Sequence, residues 1–363
     1  MELQQQYIEQ AEILHRNNPV VDAHLDLAAE LVYRVRNGEN NPLREHYLKN
    51  LRTAGANLVV SSVYQSDRQL LEEGYEGTLW QIHILQEAIR ENPEFMEVRT
   101  QEDLDLALAT GRIGVLLYME GLDCIGTDLD KLYQLWELGV RGASLTWSRE
   151  NALAHGCCKA GERIQIPGGL TSLGACVVRE MEQMGMFLDV SHLNDDGFED
   201  VDWITQKPFL ATHSNSRRVW FNYRNLRDDQ MRRLAARGGI MGLNGCRCIV
   251  GCEDDHDSIE MLCRHVEYEV ALIGSEHVGY GFDFCDSLSA AQSGLEALPE
   301  RGDALEDHRQ IVLLTATLLQ RGMPETYVKK IIGANFVEYF RKMLPENESH
   351  IKVMQRPTAV QSE

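Results

Sequence analysis

Six acid or imidazole side chains stand at the ends of five separate apolar, strand-like runs in this chain of 363 residues. The first run, residues 19–26, ends in His24-Leu25-Asp26. Residues i and i+2 of a strand point to the same side, so His24 and Asp26 can grip one cation together. Glu120 closes the run at 113–119, His192 the run at 187–191, His213 the run at 209–212 and Asp283 the run at 278–282. Histidine and carboxylate without cysteine make the ligand set of a hydrolytic Zn²⁺ or Mn²⁺ centre. A single strand-end histidine is more often a satisfied structural residue. Six such groups on one face are another matter: buried together they are costly unpaired, and a cation removes that cost.

Side chains this far apart in sequence meet only if the strands that carry them converge. Eight candidate strands can be marked, at 20–26, 57–64, 113–120, 142–147, 187–192, 209–213, 239–244 and 278–283. Most are continuous runs of branched or aromatic residues, as in strands covered on both faces. Segments with helical spacing lie between them, at 130–138, 170–184, 228–237 and 306–320, and Gly139, Gly185, Gly238 and Gly322 suit left-handed caps at their ends. This alternation predicts an α/β fold, a single (β/α)₈ TIM-type barrel in which the C-terminal strand ends share one face, where active sites sit. Residues 75–109 read as the largest helical insertion. One domain is expected over 1–345, followed by a polar, loosely ordered tail at 346–363.

Hydrophobic content of 44% and charged content of 25% supply a sizeable core. With 56 acidic against 35 basic residues the net charge is −21, a surface that repels phosphate backbones and anionic lipid. The expected partner is a small molecule, neither nucleic acid nor membrane. No run approaches the roughly 20 apolar residues that span a bilayer, and residues 1–7 show neither the basic nor the apolar part of a secretory signal. Nine cysteines, including the neighbours Cys157 and Cys158, form no regular framework. Reduced thiols and a cytoplasmic location are the expectation.

Several ordered motifs carry a resemblance. They are Val21-Asp22-Ala23-His24-Leu25-Asp26, Met119-Glu120-Gly121, Leu188-Asp189-Val190-Ser191-His192, Ala211-Thr212-His213-Ser214-Asn215, Tyr223-Arg224-Asn225-Leu226, Arg237-Gly238-Gly239-Ile240 and Gly281-Phe282-Asp283-Phe284. In order and spacing the chain resembles the membrane (renal) dipeptidase family of zinc metallopeptidases, within the amidohydrolase-like barrels, from about residue 20 to 344. The resemblance implies two zinc ions per chain. His24 and Asp26 would hold one, His192 and His213 the other, and Glu120 would bridge both. It implies a metal-bridging hydroxide as nucleophile. Asp283, with Glu120 the catalytic carboxylates, would take that water's proton and pass it to the leaving amine. Arg224 would hold the free C-terminal carboxylate of a dipeptide. L–L dipeptides are the expected substrates, L–D dipeptides a second candidate class, and a homodimer the expected assembly.

Three departures from the family pattern bear on substrate choice. Where many members carry histidine, this chain reads Ser144-Leu145-Thr146-Trp147. An indole N–H is a donor only, so Trp147 is expected to narrow or line the substrate pocket. Asp283-Phe284-Cys285-Asp286 stands for the family's Asp-Phe-Asp-Gly, leaving the support of Asp283 open. The loop from Asn244 to Cys252 lacks a substrate-contacting tyrosine of some relatives. Its Cys246, Cys248 and Cys252, with His256, form a secondary candidate for a structural zinc site. Ser191 and Ser214 lack a nucleophile's setting and read as backbone-bonding neighbours of their histidines. Two other readings remain. One is a related barrel cleaving another amide, a cyclic amide or an ester, although such sites often bridge through a carboxylated lysine and here the bridge is Glu120. The other is a catalytically silent scaffold, which the complete set of six groups opposes.

Overall fold

The structure is a computed structural model and describes residues 3–158, 165–252, 255–294, 298 and 300–351. The apolar runs form short parallel strands: β1 Val20–Leu25, β2 Ala56–Tyr64, β3 Phe95–Glu97, β4 Ile113–Glu120, β5 Val140–Ser144, β6 Phe187–Asp189, β7 Met241–Leu243 and β8 Val278–Tyr280. One sheet runs β1-β2-β4-β5-β6, with β3 paired to the start of β4, and β7 pairs with β8. Tyr64 lies opposite Glu120 in the β2–β4 register, so the C-terminal strand ends lie level. Helices cover the strands, and alternation along β4 explains the layering. Ile113, Val115, Leu117 and Met119 join the larger apolar core, while Leu116 and Tyr118 join a second cluster with Phe187, Phe336 and Phe340. Glu120 lies on the Tyr118 side of the strand.

Three expectations need correction. Residues 209–213 form single bridges, Asp189 to Leu210 and Ala211 to Met241, and no ladder. Their amides bond alternately to both neighbours, Leu210 N–H to Leu188 O at 3.0 Å and Ala211 N–H to Ile240 O at 3.0 Å. The runs ending at Trp147, His192 and Asp283 stop earlier as strands, at Ser144, Asp189 and Tyr280. His192 and Asp283 have φ of 68° and 55°, a left-handed backbone through which no strand continues. The 75–109 segment contains a strand: β3 sits between helices Gly74–Glu91 and Gln101–Thr110. Three residues are too few to show a period. Of the 346–363 tail, Glu348–Ile351 is helical, and residues 352–363 lie outside the described residues.

The helical readings fare better. Leu129–Glu137, Ser172–Met184, Asp228–Ala236 and Ile311–Gln320 are helices, the last preceded by a short turn at His308–Gln310. Gly185 ends its helix at φ 80°, and Gly139, Gly238 and Gly322 are also left-handed. Close approach rather than φ demands glycine at 242 and 281. A Cβ there would lie 1.9 and 1.8 Å from the Thr212 carbonyl oxygen, so β7 and β8 can press on the residue before His213 only without side chains. Among the described residues no helix is long and apolar enough to cross a membrane.

Candidate metal centre and substrate cleft

The strand ends bring the predicted cluster together. His24 Nε2 lies 3.7 Å from Asp26 Oδ1, 3.7 Å from Glu120 Oε1 and 3.9 Å from Asp283 Oδ1. Glu120 Oε1 is 2.8 Å from His192 Nε2 and 3.4 Å from His213 Nε2. These separations are those of ligands sharing cations at about 2.1 Å each. The only non-glycine residues with left-handed backbone among those described are His192 and Asp283. Such a conformation costs of order 1–3 kcal/mol and persists where surroundings over-determine it, characteristically at active sites.

The tautomers can be read from the outer partners. Thr212 Oγ1 bonds Asp189 Oδ2 and must donate to it, because the carboxylate only accepts. That hydroxyl therefore accepts from His213 Nδ1 at 2.7 Å and from His24 Nδ1 at 3.3 Å. His192 Nδ1 has Ser148 Oγ at 2.8 Å. The Nδ1 protons of His24 and His213 leave lone pairs on their Nε2 atoms. Yet His192 Nε2 and His213 Nε2 face each other at 2.9 Å, and His24 Nε2 is buried with no hydrogen-bond partner. Lone pairs converging on a carboxylate make sense around a cation, so the donor set fits metal ions. Asp189 is itself held by the Tyr118 hydroxyl at 2.6 Å and the Ser191 amide at 2.8 Å.

Charge points the same way. Burial opposes ionising Glu120, but the nearby His24, then His192 and His213, hold its carboxyl well below the usual range. Burial likewise opposes a charged His24, but Glu120, Asp26 and Asp283 outweigh it and raise that imidazole well above its usual value. His192 is pushed down to about 3 by burial and by Arg224, and His213 is lowered by burial, His24 and Arg224. Two histidines thus stay neutral, as metal binding would require, while the carboxylates draw positive charge to the centre.

A cavity of about 320 Å³ opens on this cluster, with Asp26, Glu120, His192, Asp283, Arg224 and Trp147 in its wall. A second cavity of about 360 Å³ around Arg34 and His308 shares no residue with it. The first one holds the candidate site residues. Asp283 is pushed up to about 7 by burial and by the neighbouring Asp26 and Glu120, against the pull of His24 and Arg224. Asn244 Nδ2 donates to its Oδ2 at 2.9 Å, and the Cys285 thiol donates to its carbonyl at 2.9 Å. Cys285 thus supports Asp283 where the family's aspartate would stand, and it groups with Asp26 and Asp283. Arg224 is buried, its guanidinium donating to His213 O at 3.2 Å and Ser214 Oγ at 3.4 Å. Arg217, Arg227 and Arg233 instead pair with Asp195, Glu199, Asp202 and Asp229. Among the described residues no carboxylate bridges Arg224.

Trp147 forms an aromatic wall, its ring 5.4 Å from Tyr64 and 5.7 Å from His192, with the Arg149 guanidinium 5.3 Å over it. Sequence reasoning missed Ser62, Tyr64, Ser148, Asp189, Thr212 as a side chain, and Asn244. Ser62 bonds Asp26 Oδ1 from β2. Only Asp189 and Thr212, inside the quoted motifs, carried a usable signal: polar residues within apolar runs. Ser191 Oγ accepts from the His213 amide at 3.3 Å, a backbone-bonding role as read. Of the candidate structural zinc site, Cys252 is buried and takes a hydrogen bond from Ser258 Oγ at 3.7 Å. The side chain of His256 lies outside the described residues.

Comparison with known proteins agrees with this centre. The family model for membrane dipeptidase, peptidase family M19, matches residues 8–351. Dipeptidase verJ of Clonostachys rogersoniana is 31% identical over 285 residues, 78% of this chain and 67% of that protein. Dipeptidase 3 of Mus musculus is 28% identical over 350 residues, 92% of this chain and 66% of its own length. The chain therefore spans about two thirds of these curated relatives. A metallopeptidase from Rhodobacter sphaeroides, solved with a phosphinate mimic of the dipeptide L-Ala-D-Ala, superposes with a TM-score of 0.77 at 25% identity, covering 90% of this chain and 99% of that one. The chain belongs to the membrane dipeptidase family, peptidase family M19.

Proposed function

We propose that the protein is a binuclear zinc dipeptidase acting on dipeptides with a free C-terminal carboxylate. The observation that carries this reading is Arg224, a buried guanidinium without a carboxylate partner among the described residues, in the wall of the cavity that holds the His–Asp–Glu cluster. A forked donor so placed fits a substrate carboxylate and fixes where the chain of the substrate ends. His24 and Asp26 would hold one zinc ion, His192 and His213 the other, with Glu120 between. When bound, the pair supplies Lewis acidity, which acidifies water toward neutrality and polarises the scissile carbonyl. Asp283 accepts the proton of the attacking water and returns it to the leaving amine. Its elevated pKa suits a group that must do both near neutrality. Asn244 and Cys285 hold it in place, and the Trp147–Tyr64 wall excludes water and receives the N-terminal residue's side chain. The reading includes closure of the strands into a barrel, supported by the Asp283 amide donating to His24 O at 3.1 Å across β8 and β1, and the homodimer implied by the family resemblance.

The test compares free dipeptides, L–L and L–D, with their C-terminal amides on zinc-loaded protein. Free dipeptides should be cleaved far faster than amides. Arg224→Met should lower kcat/KM for free dipeptides by about two to three powers of ten, because a carboxylate buried without its partner costs several kcal/mol. Amides should be little affected. Equal losses on both would refute the assignment of Arg224, and rapid cleavage of amides or long peptides by the unmodified enzyme would refute the dipeptidase reading.

A further inference from the structure

The loop after β7 places two thiols at the mouth of the cleft. Cys246 Sγ and Cys248 Sγ are 3.3 Å apart, one residue between them, and Cys248 is exposed. Each end is tied to a different part of the catalytic machinery. The Cys246 amide donates to Asn244 Oδ1 at 2.7 Å, and Asn244 donates to Asp283. The Cys248 carbonyl accepts from Trp220 Nε1 at 3.2 Å and Asn222 Nδ2 at 2.9 Å, and Asn222 Oδ1 accepts from the Arg224 amide at 2.9 Å. The dithiol therefore spans the gap between the proton carrier and the carboxylate clamp.

We propose that Cys246 and Cys248 are a reversible redox site, and that its disulfide displaces the 220–224 segment and weakens the hold of Arg224 on the substrate carboxylate. This rests on the dipeptidase reading for its effect on substrate, though not for its chemistry. Bonding requires the sulfurs to close from 3.3 Å to about 2.05 Å. Cys248 lies in the short helix Arg247–Val250, so its movement carries its carbonyl, and with it Trp220 and Asn222. The oxidant is a hydroperoxide. The Cys248 thiolate attacks the terminal peroxide oxygen, an S–O bond forms, the O–O bond breaks, and the alcohol leaves with a proton. Cys246 Sγ then attacks that sulfur, an S–S bond forms, the S–O bond breaks, and water leaves with the thiol proton. Two thiols lose two electrons in total and the peroxide gains them. Dithiol reductants reverse it by exchange. The hydrogen bond with Cys246, then Arg224, draws the Cys248 thiol down to about 7, which favours it as the attacking group.

The experiment uses zinc-loaded protein treated with hydrogen peroxide, then dithiothreitol. Trypsin cuts after Arg247, between the two cysteines, so the fragments should stay joined after peroxide and separate after reduction. KM for a free dipeptide should rise severalfold on oxidation and recover, with kcat within a factor of about two. Cys246→Ser and Cys248→Ser, each compared with its own untreated rate, should lose the response. Fragments that separate without reduction overturn the proposal, as does a joined pair with unchanged KM, or a response that survives in both variants. An untreated enzyme inert on dipeptides would sink the dipeptidase reading alone, since the fragment analysis still decides whether the bridge forms.

Discussion

Replacing Thr212 by valine removes one hydroxyl and almost no volume. That hydroxyl donates to Asp189 and accepts from Nδ1 of His213 at 2.7 Å and of His24 at 3.3 Å. Asp189 would keep the Tyr118 hydroxyl and the Ser191 and Thr212 amides, so the carboxylate stays satisfied and the fold survives. The two histidines would not. Each buried N–H left without an acceptor costs about 1–3 kcal/mol, and an imidazole avoids that by moving its proton to Nε2, the atom that faces Glu120. Metal would then have to displace the proton. Loss of such outer support typically weakens metal affinity 10–100-fold, about 1.4–2.8 kcal/mol. We expect Thr212→Val to lose zinc to a competing chelator at correspondingly lower chelator concentration, while its metal-free thermal unfolding stays two-state. Thr212→Ser, which keeps the hydroxyl, should restore affinity. Wild-type zinc affinity in the valine variant, or equal loss in the serine variant, would refute the tautomer argument.

Two further outcomes follow from single residues. Asp283→Asn keeps shape but cannot accept a proton, so kcat should fall by roughly two to four powers of ten with zinc content unchanged; co-loss of metal would make Asp283 a ligand instead. Glu269 is fully buried, and burial, outweighing the opposing Ser216 backbone amide, raises its pKa well above the usual value. The folded state then holds a proton that the unfolded chain releases above about pH 4.3, so stability falls as pH rises from there toward the folded pKa. Glu269→Gln should raise Tm at neutral pH and leave it unchanged near about pH 4; an equal gain at both would show that charge is not the cause.

The candidate ligand side chains were legible in the sequence because each ends an apolar run, and period-two alternation already put His24 and Asp26 on one side. Helices and their glycine caps were legible for the same reason: local spacing and local backbone demand set them. What the chain order could not state is any relation that depends on distance through space. The left-handed turns at His192 and Asp283 end their strands early because packing, not propensity, holds them there. The Thr212 hydroxyl matters because Asp189 lies beneath it, 23 residues away in sequence. Arg224 stands apart from the arginines around it only through burial and the lack of a carboxylate, which folding alone decides. Cys246 and Cys248 were one motif in a cysteine-rich loop; their hydrogen-bonded ties to Asp283 and Arg224 exist only once β7, β8 and the 220–224 segment are packed together. Sequence determines which chemistry is available, because side-chain types are local. Tertiary structure decides which of those groups share a dielectric, a proton or a ligand, because those energies depend on separations of a few ångströms.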